Sequence, residues 1–269
     1  MSVSSKEKSS NSVSLEPNSR TKVLLRRGKI IDFLAIGRIA AHTYGDTYLD
    51  AYLSPHSKEH PNAFRRGYQQ RALQRMLSPR NLTFVAVEES NPRVVVGYAQ
   101  FMRLGDDEGA QKQIASRKRF WMPTSLWLWN CILPFLYWGD RGKCDDPHAV
   151  AEFLRVGDEE ARFWFDRYPM RRNRWHAQSV VVLPQFQGIG IGKRLMGEVI
   201  KRAEEENVPV GIEASSQGEM LYRSVGFELL SRFRPLKGMQ GGNEGGIFMW
   251  KPSEWIEAND VVEEKDKSK

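Results

Sequence analysis

The chain is poor in cysteine: Cys131 and Cys144 are its only two. They form no CxxC pair and no regular framework. That excludes a disulfide-stapled secreted scaffold and favours a reducing compartment. Long apolar runs are lacking too. The apolar stretch at residues 126–138 is broken by Asn130 and Pro134, and it falls short of the roughly 20 residues that a membrane-crossing helix needs. Residues 1–21 hold eight serines but no apolar core, and Glu7 and Glu16 do not suit a transit peptide. No secretory or organellar leader is read there, so the expected location is the cytoplasm, with the nucleus also open. There is no zinc-finger spacing and no RNP-like strand. The net charge of +7 and pI near 9.4 would suit a polyanion, yet nucleic acid is not an expected partner.

A metal site is not expected either. His56-Ser57-Lys58-Glu59-His60 has the H-x-x-E-H spacing of a zinc protease family. That chemistry needs both histidines on one face of a continuous helix. Pro55 and Pro61 flank the segment, Pro61 disfavours helical geometry at His60, and no third ligand is evident. The segment reads as a surface loop or a helix start.

A hydrophobic content of 41% is ample for a packed core. Three parts follow from composition. Residues 1–21 read as a disordered tail. Residues 22–251 read as one folded domain. Residues 252–269 carry six acidic residues against three lysines and read as a solvated tail, with Trp255 as the last packed position. Within the domain, residues 22–27 read as a strand. Residues 30–44 read as a helix whose apolar face is Ile31, Leu34, Ala35 and Ile39. A second helix runs through Phe64, Tyr68, Ala72, Leu73 and Met76 to Pro79. Residues 82–87 and 94–102 form a hairpin around Asn91-Pro92. A departure spans about 105–148, and a helix then passes through Val150, Phe153, Leu154 and Trp164. Strands follow at 179–183, 208–212, 227–233 and 246–250, with helices between the first three.

The most informative stretch is Gln187-Gly188-Ile189-Gly190-Ile191-Gly192. It joins the β-branched run 179–183, stopped by Pro184, to a helix patterned by Ile191, Leu195, Met196, Val199, Ile200 and Ala203. A strand, a glycine turn and a helix start together hold phosphate. Glycine lets the backbone approach, the first helical N–H groups lack partners, and the helix dipole adds positive charge. Lys193 adds a full charge nearby. A P-loop is ruled out, because Gln187 stands at its first glycine and Arg194 at its Ser/Thr. The G-x-G-x-x-G dinucleotide fingerprint is broken by Lys193 at its last glycine. The stretch does satisfy Q-x-x-G-x-G, and so resembles motif A of the GNAT superfamily of N-acetyltransferases, which holds the pyrophosphate of acetyl-CoA. Downstream, Leu221-Tyr222-Arg223-Ser224-Val225-Gly226-Phe227 resembles the family's motif B. It reads as a short helix with Leu221, Tyr222 and Val225 inward, Gly226 at the left-handed C′ position and Phe227 opening a strand.

The resemblance covers residues 22–251 and is most specific over 175–227. It implies an α/β (α+β) fold with a mixed, mostly antiparallel twisted sheet flanked by helices, here carrying an aromatic-rich insertion. It implies acetyl-CoA as co-substrate, no metal, and transfer of acetyl to a primary amine by direct attack in a ternary complex. It places the cofactor on Val180, Val181, Val182, Gln187, Gly188, Ile189, Gly190, Ile191, Gly192, Lys193 and Ser215. The Val182 amide stands as oxyanion donor and Tyr222 as the acid for the thiolate. His176 falls where histone-acetylating members carry a glutamate base, and Gln178 would position a water or the amine. Strand alternation puts His176, Gln178, Val180 and Val182 on one side.

The acceptor stays open between a small amine and a peptide, as does the oligomeric state. A CoA-binding module without turnover is the alternative, with a nicotinamide-dependent oxidoreductase behind it. Residues 121–138 hold four of the eight tryptophans. They are open to three readings: packing on the body, walling an acceptor pocket, or resting on a membrane surface beside Arg117, Lys118 and Arg119.

Overall fold

The computed structural model describes residues 22–117, 127, 131, 142–239 and 245–256. The expected serine-rich tail, nearly all of the aromatic segment and the acidic tail beyond Ile256 lie outside them.

Seven strands form one sheet: β1 (Val23–Arg27), β2 (Asn81–Glu88), β3 (Val95–Leu104), β4 (Arg174–Val182), β5 (Val210–Ala214), β6 (Glu228–Arg232) and β7 (Gly246–Trp250). Their order is β1-β2-β3-β4-β5-β7-β6. Every pairing is antiparallel except β4 with β5. A parallel pair needs a crossover, and the helix Ile191–Glu206 supplies it. The helices between these strands are α1 (Phe33–Tyr44), α2 (Tyr48–Leu53), α3 (Pro61–Leu77), α4 (Glu108–Arg117), α5 (Pro147–Ala161), α6 (Pro169–Arg172), α7 (Ile191–Glu206) and α8 (Ser216–Arg223).

Burial divides the molecule by sheet face. Seven consecutive residues of β2, Asn81 to Val87, are buried, as a strand covered on both faces must be. One face packs Leu195, Met196, Val199 and Ala203 of α7 against Phe84, Phe101, Trp175 and Phe248, and Tyr222 of α8 joins them. The other face packs Ile36, Ile39 and Ala40 of α1 and Ala72 and Met76 of α3 against Val85, Val87, Tyr98 and Val181. Farther along that second face, Phe165 packs with Ile247, Met249 and Trp255, so Trp255 is the packed residue that the sequence suggests.

Several local readings change. The inward stripe of α1 is Ile36, Ile39 and Ala40, while Ile31 and Leu34 are exposed. A 3-10 turn at Ile30–Asp32 precedes the helix. Asp32 accepts from the Lys29 amide at 2.6 Å and from Arg26 at 2.7 and 3.0 Å. This anchor sets the phase of the helix ahead of any apolar preference. α2 escaped the periodicity because it is short; Thr47 caps it by accepting from the Asp50 amide at 3.2 Å. α4 opens the expected departure, where the buried Arg103 guanidinium ties β3 to Asp107 at 2.6 Å and to Glu206 of α7 at 2.7 Å. α5 ends before Trp164 and widens into a π-helical turn, Arg162–Asp166. Phe153 and Leu154 of α5 are on the exposed side. β5 ends at Ala214, so Glu213 lies inside the strand. The H-x-x-E-H segment is a run of turns with His56 beside exposed Glu59 at 3.3 Å.

Candidate active site

β4 and β5 stay paired over three positions only: Trp175–Val210, His176–Gly211 and Ala177–Ile212. Beyond Ala177 the strands part, and β4 runs on to Val182 bonded to β3 alone. The Leu183 amide donates to the Val96 carbonyl at 2.9 Å. Alternation along an antiparallel ladder then directs the backbone groups of Val181 and Ser179 to β3 and those of Val180 and Val182 toward the gap. The side-chain amide of Gln187 donates to the Val182 carbonyl at 2.8 Å, which links this free edge to the glycine loop.

The glycine loop takes the left-handed turns that its glycine spacing suggests. Gly188 and Gly190 have φ of +79° and +82°, a region where a side chain costs about 1–2 kcal/mol. Gly190 is the N-cap of α7 and offers no side-chain cap. The first-turn amides therefore keep their donors for another partner. Ile189 and Lys193 are exposed around them. Gly192 answers a different need: a Cβ there would sit 3.0 Å from Leu221, so its absence lets α7 begin against α8. That approach brings Tyr222 to the gap. Tyr222 is 5% exposed and packs its ring against Phe227 and Phe248. Burial pushes its phenol above the usual tyrosine range, and nearby Tyr44 adds to this. Gly226 has φ +91°, the left-handed position expected after this helix, and Ser215 is the exposed N-cap of α8.

One expectation fails at β4. Phe101 pairs with Ala177 but Gln100 pairs with Ser179, so Gln178 is the extra residue of a bulge. A bulge shifts the alternation by one. Val180 and Val182 therefore pack with Trp175, Ala177 and Tyr222 on the α7 face. Val181 packs on the opposite face, among α1 and α3. His176 and Gln178 also lie on the opposite face and do not share a side with Val180 and Val182. The bulge makes β4 a two-sided element, with the glycine loop and Tyr222 gathered on one side and the His176 region on the other.

That second side holds the expected His176 and Gln178 together with Glu213, Glu160, Asn81, Ser179, Tyr44 and Tyr98, which the sequence did not single out. His176 Nε2 lies 2.8 Å from Glu213 Oε2 across the strands, and its ring stands edge-on to Phe165 at 6.5 Å. His176 Nδ1 is buried without a partner. Burial works against the Glu213 charge, but the imidazole prevails and holds the carboxyl below the usual range. Glu160, on α5, accepts from the Arg234 amide at 3.1 Å, and burial pushes its carboxyl up. Gln178 accepts from Asn81 at 2.7 Å. Ser179 bridges two phenols, Tyr44 at 3.1 Å and Tyr98 at 2.9 Å. A bulge leaves no mark in apolar spacing, and these partners come from five distant segments. The polar residues His176, Gln178 and Ser179 inside a strand were the only trace.

Among the described residues no group of three or more His, Cys, Asp or Glu is arranged to hold a metal, and no helix is long and apolar enough to cross a membrane.

Comparison with known proteins bears on the same region. Residues 168–239 match the family described as the Acetyltransferase (GNAT) domain. The [ribosomal protein bS18]-alanine N-acetyltransferase of Haemophilus influenzae is 31% identical over 75 residues, 26% of this chain and 51% of the relative. The chain thus spans about half the length of the curated relative it matches. A solved structure from Corynebacterium glutamicum, described as histone acetyltransferase HPA2 and related acetyltransferase, overlays with a TM-score of 0.53 at 18% identity. It covers 89% of this chain and 99% of its own, which establishes the fold.

Proposed function

We propose that the chain is an N-acetyltransferase that moves acetyl from acetyl-CoA to a primary amine, a reading supported by the match of residues 168–239 to the GNAT acetyltransferase domain. The observation that carries this reading is the parting of β4 from β5 directly beside an uncapped helix start. The free edge of Val180 and Val182 suits an extended amide-bearing arm laid along it as an added strand. The first-turn amides of α7 and Lys193 suit a pyrophosphate. Tyr222 reaches the gap from α8, where a thioester sulfur would lie.

The residues then take these roles. The amide of Val182, directed into the gap, is the oxyanion donor for the tetrahedral intermediate. Such a donor supplies about 2.7–4 kcal/mol. Tyr222 stays protonated at neutral pH and donates to the sulfur as negative charge grows there. His176 and Glu213 form the proton-accepting pair for the amine, arriving from the opposite face through the gap. Gln178, held by Asn81, positions the amine or a water. Gln187, Gly188, Ile189, Gly190, Ile191 and Gly192 supply the loop that clasps the cofactor, with Ser215 at its edge.

Thermal unfolding with acetyl-CoA, CoA and NAD in parallel tests this. A ligand at 100 times its Kd adds about 2.7 kcal/mol to folding stability. The expected result is a raised midpoint with both CoA species, lost in Gly190→Asp. Aspartate at this left-handed N-cap costs about 1–2 kcal/mol, so the shift is read against the variant's own midpoint without ligand, and its negative charge opposes the pyrophosphate. No rise with either CoA species overturns the proposal.

A further inference from the structure

The α1–α3 side of the gap holds a cation without a counter-ion. Arg75 projects from α3 over the sheet and makes one hydrogen bond, Nη1 to the Gln100 side-chain oxygen, at 3.4 Å. Gln100 is itself 1% exposed and pairs across the ladder with Ser179. Arg75 therefore stands two strands from the point where β4 leaves β5, and neighbouring strands are about 4.8 Å apart. Its other neighbours are the phenols of Tyr44, Tyr98 and Tyr68 and the guanidinium of Arg71. No carboxylate pairs with Arg75 among the described residues. The Asp50 carboxylate, on the far side of Tyr68, accepts from Tyr68 at 2.6 Å and Thr47 at 3.3 Å and faces Arg71. Arg71 in turn lies 4.0 Å over the Tyr68 ring.

A partly buried guanidinium costs free energy unless an anion meets it. Here burial depresses the affinity of Arg75 for its proton. Among the described residues four of its five N–H donors have no protein acceptor, and the Tyr44–Ser179–Tyr98 hydroxyls beside it can donate or accept. Among the described residues no carboxylate offsets this guanidinium. On the α5 side the carboxylates have partners, Glu213 with His176 at 2.8 Å and Glu160 with Arg234 at 3.9 Å. A molecule lying across the gap meets carboxylates at one end and a spare guanidinium at the other.

We propose that the acceptor is a small amine carrying a carboxylate, an amino-acid-like molecule, whose carboxylate is bound by Arg75 with the Tyr44–Ser179–Tyr98 hydroxyls. One unpaired guanidinium matches one negative charge, and its planar fork fits the two oxygens of a carboxylate. The proposal rests on the acetyl-transfer reading and names the acceptor of that same site.

The test is acetyl transfer from acetyl-CoA to a panel of free L-amino acids, their amides, and short peptides with a free amino end. Wild type, Arg75→Met and Arg75→Lys are compared, with the acetyl-CoA shift in unfolding midpoint measured for each. Expected are transfer to free amino acids, at least tenfold weaker transfer to the amides, and a KM for the acids raised tenfold or more in R75M. R75K is expected to restore part of that loss, and all three proteins are expected to keep the acetyl-CoA shift. Equal use of acids and amides, transfer to peptides alone, an unchanged KM in R75M, or no transfer to any amino acid with the acetyl-CoA shift intact would each overturn it. Absence of the acetyl-CoA shift in wild type strikes the acetyl-transfer reading instead.

Discussion

The two sides of the gap between β4 and β5 are made in different ways. The α7 side is backbone: the free edge of Val180 and Val182, two left-handed glycines and the uncapped amides of α7. Side chains matter there mainly by being absent, as at Gly192, or by filling the core, as at Leu221. The α3–α5 side is side chain: His176 on Glu213, Gln178 on Asn81, Ser179 between Tyr44 and Tyr98. A backbone site needs only that a short segment take one conformation. A side-chain site needs several segments to be brought together by the fold. The first can therefore serve one invariant ligand, while the second can be rebuilt for a new one. This division matches a shared cofactor and a private acceptor.

Perturbing the two sides separately sharpens the contrast. The largest effect is expected from Tyr222→Phe, which removes the donor for the leaving sulfur and leaves the ring packing in place. Turnover is expected to fall about 10- to 1000-fold, with the acetyl-CoA midpoint shift retained; unchanged kcat in a folded variant would remove Tyr222 from the chemistry. Glu213→Gln is expected next, lowering kcat/KM about 10- to 100-fold through loss of the His176 partner, again with cofactor binding intact. It also carries a pH signature. The folded carboxyl is held below its usual value, so its stabilising contribution is complete above about pH 4.3 and is lost as pH falls through the depressed value. E213Q is thus expected to unfold earlier than wild type at pH 7 and to converge with it in acid. Parallel curves at every pH would break this assignment.

Gly192→Val probes whether the backbone side positions Tyr222. The added atoms meet Leu221, and such overpacking costs about 1–3 kcal/mol. A lower midpoint together with weaker cofactor binding and slower turnover is expected. Loss of stability alone would separate the loop from α8. The smallest effect is reserved for Glu160→Gln, with the opposite sign to E213Q. Burial raises the Glu160 carboxyl, so its ionised form opposes folding above the raised value and the penalty vanishes below the unfolded one. Glutamine keeps an acceptor for the Arg234 amide. E160Q is expected to melt slightly higher than wild type at pH 7 and equally near pH 4; a lower midpoint at pH 7 would show that the charge is compensated.

The glycine loop, the α7 pattern and the α8 segment ending at Gly226 were legible because each is contiguous and its chemistry lies in local conformation. Glycine spacing reports where positive φ is wanted, and 3.6-residue periodicity reports a buried face. The strand order around the gap was not legible in any residue pattern, and the resemblance implied only a mixed, mostly antiparallel sheet. The phase of α1 was not legible, because Asp32 fixes it through Arg26, a residue on β1. Nor was the bulge, because alternation of apolar residues carries no record of one inserted position until β3 supplies the register.

The sequence alone determined the glycine turn, the helix that follows it and the tyrosine placed downstream, since those depend on neighbours within a few residues. Only the tertiary structure decided which face of β4 each side chain takes, that Glu213 meets His176, and that Arg75 has no carboxylate partner among the described residues. Those are relations between strands and helices far apart in the chain. Their energies come from burial and pairing, which exist only once the sheet has closed.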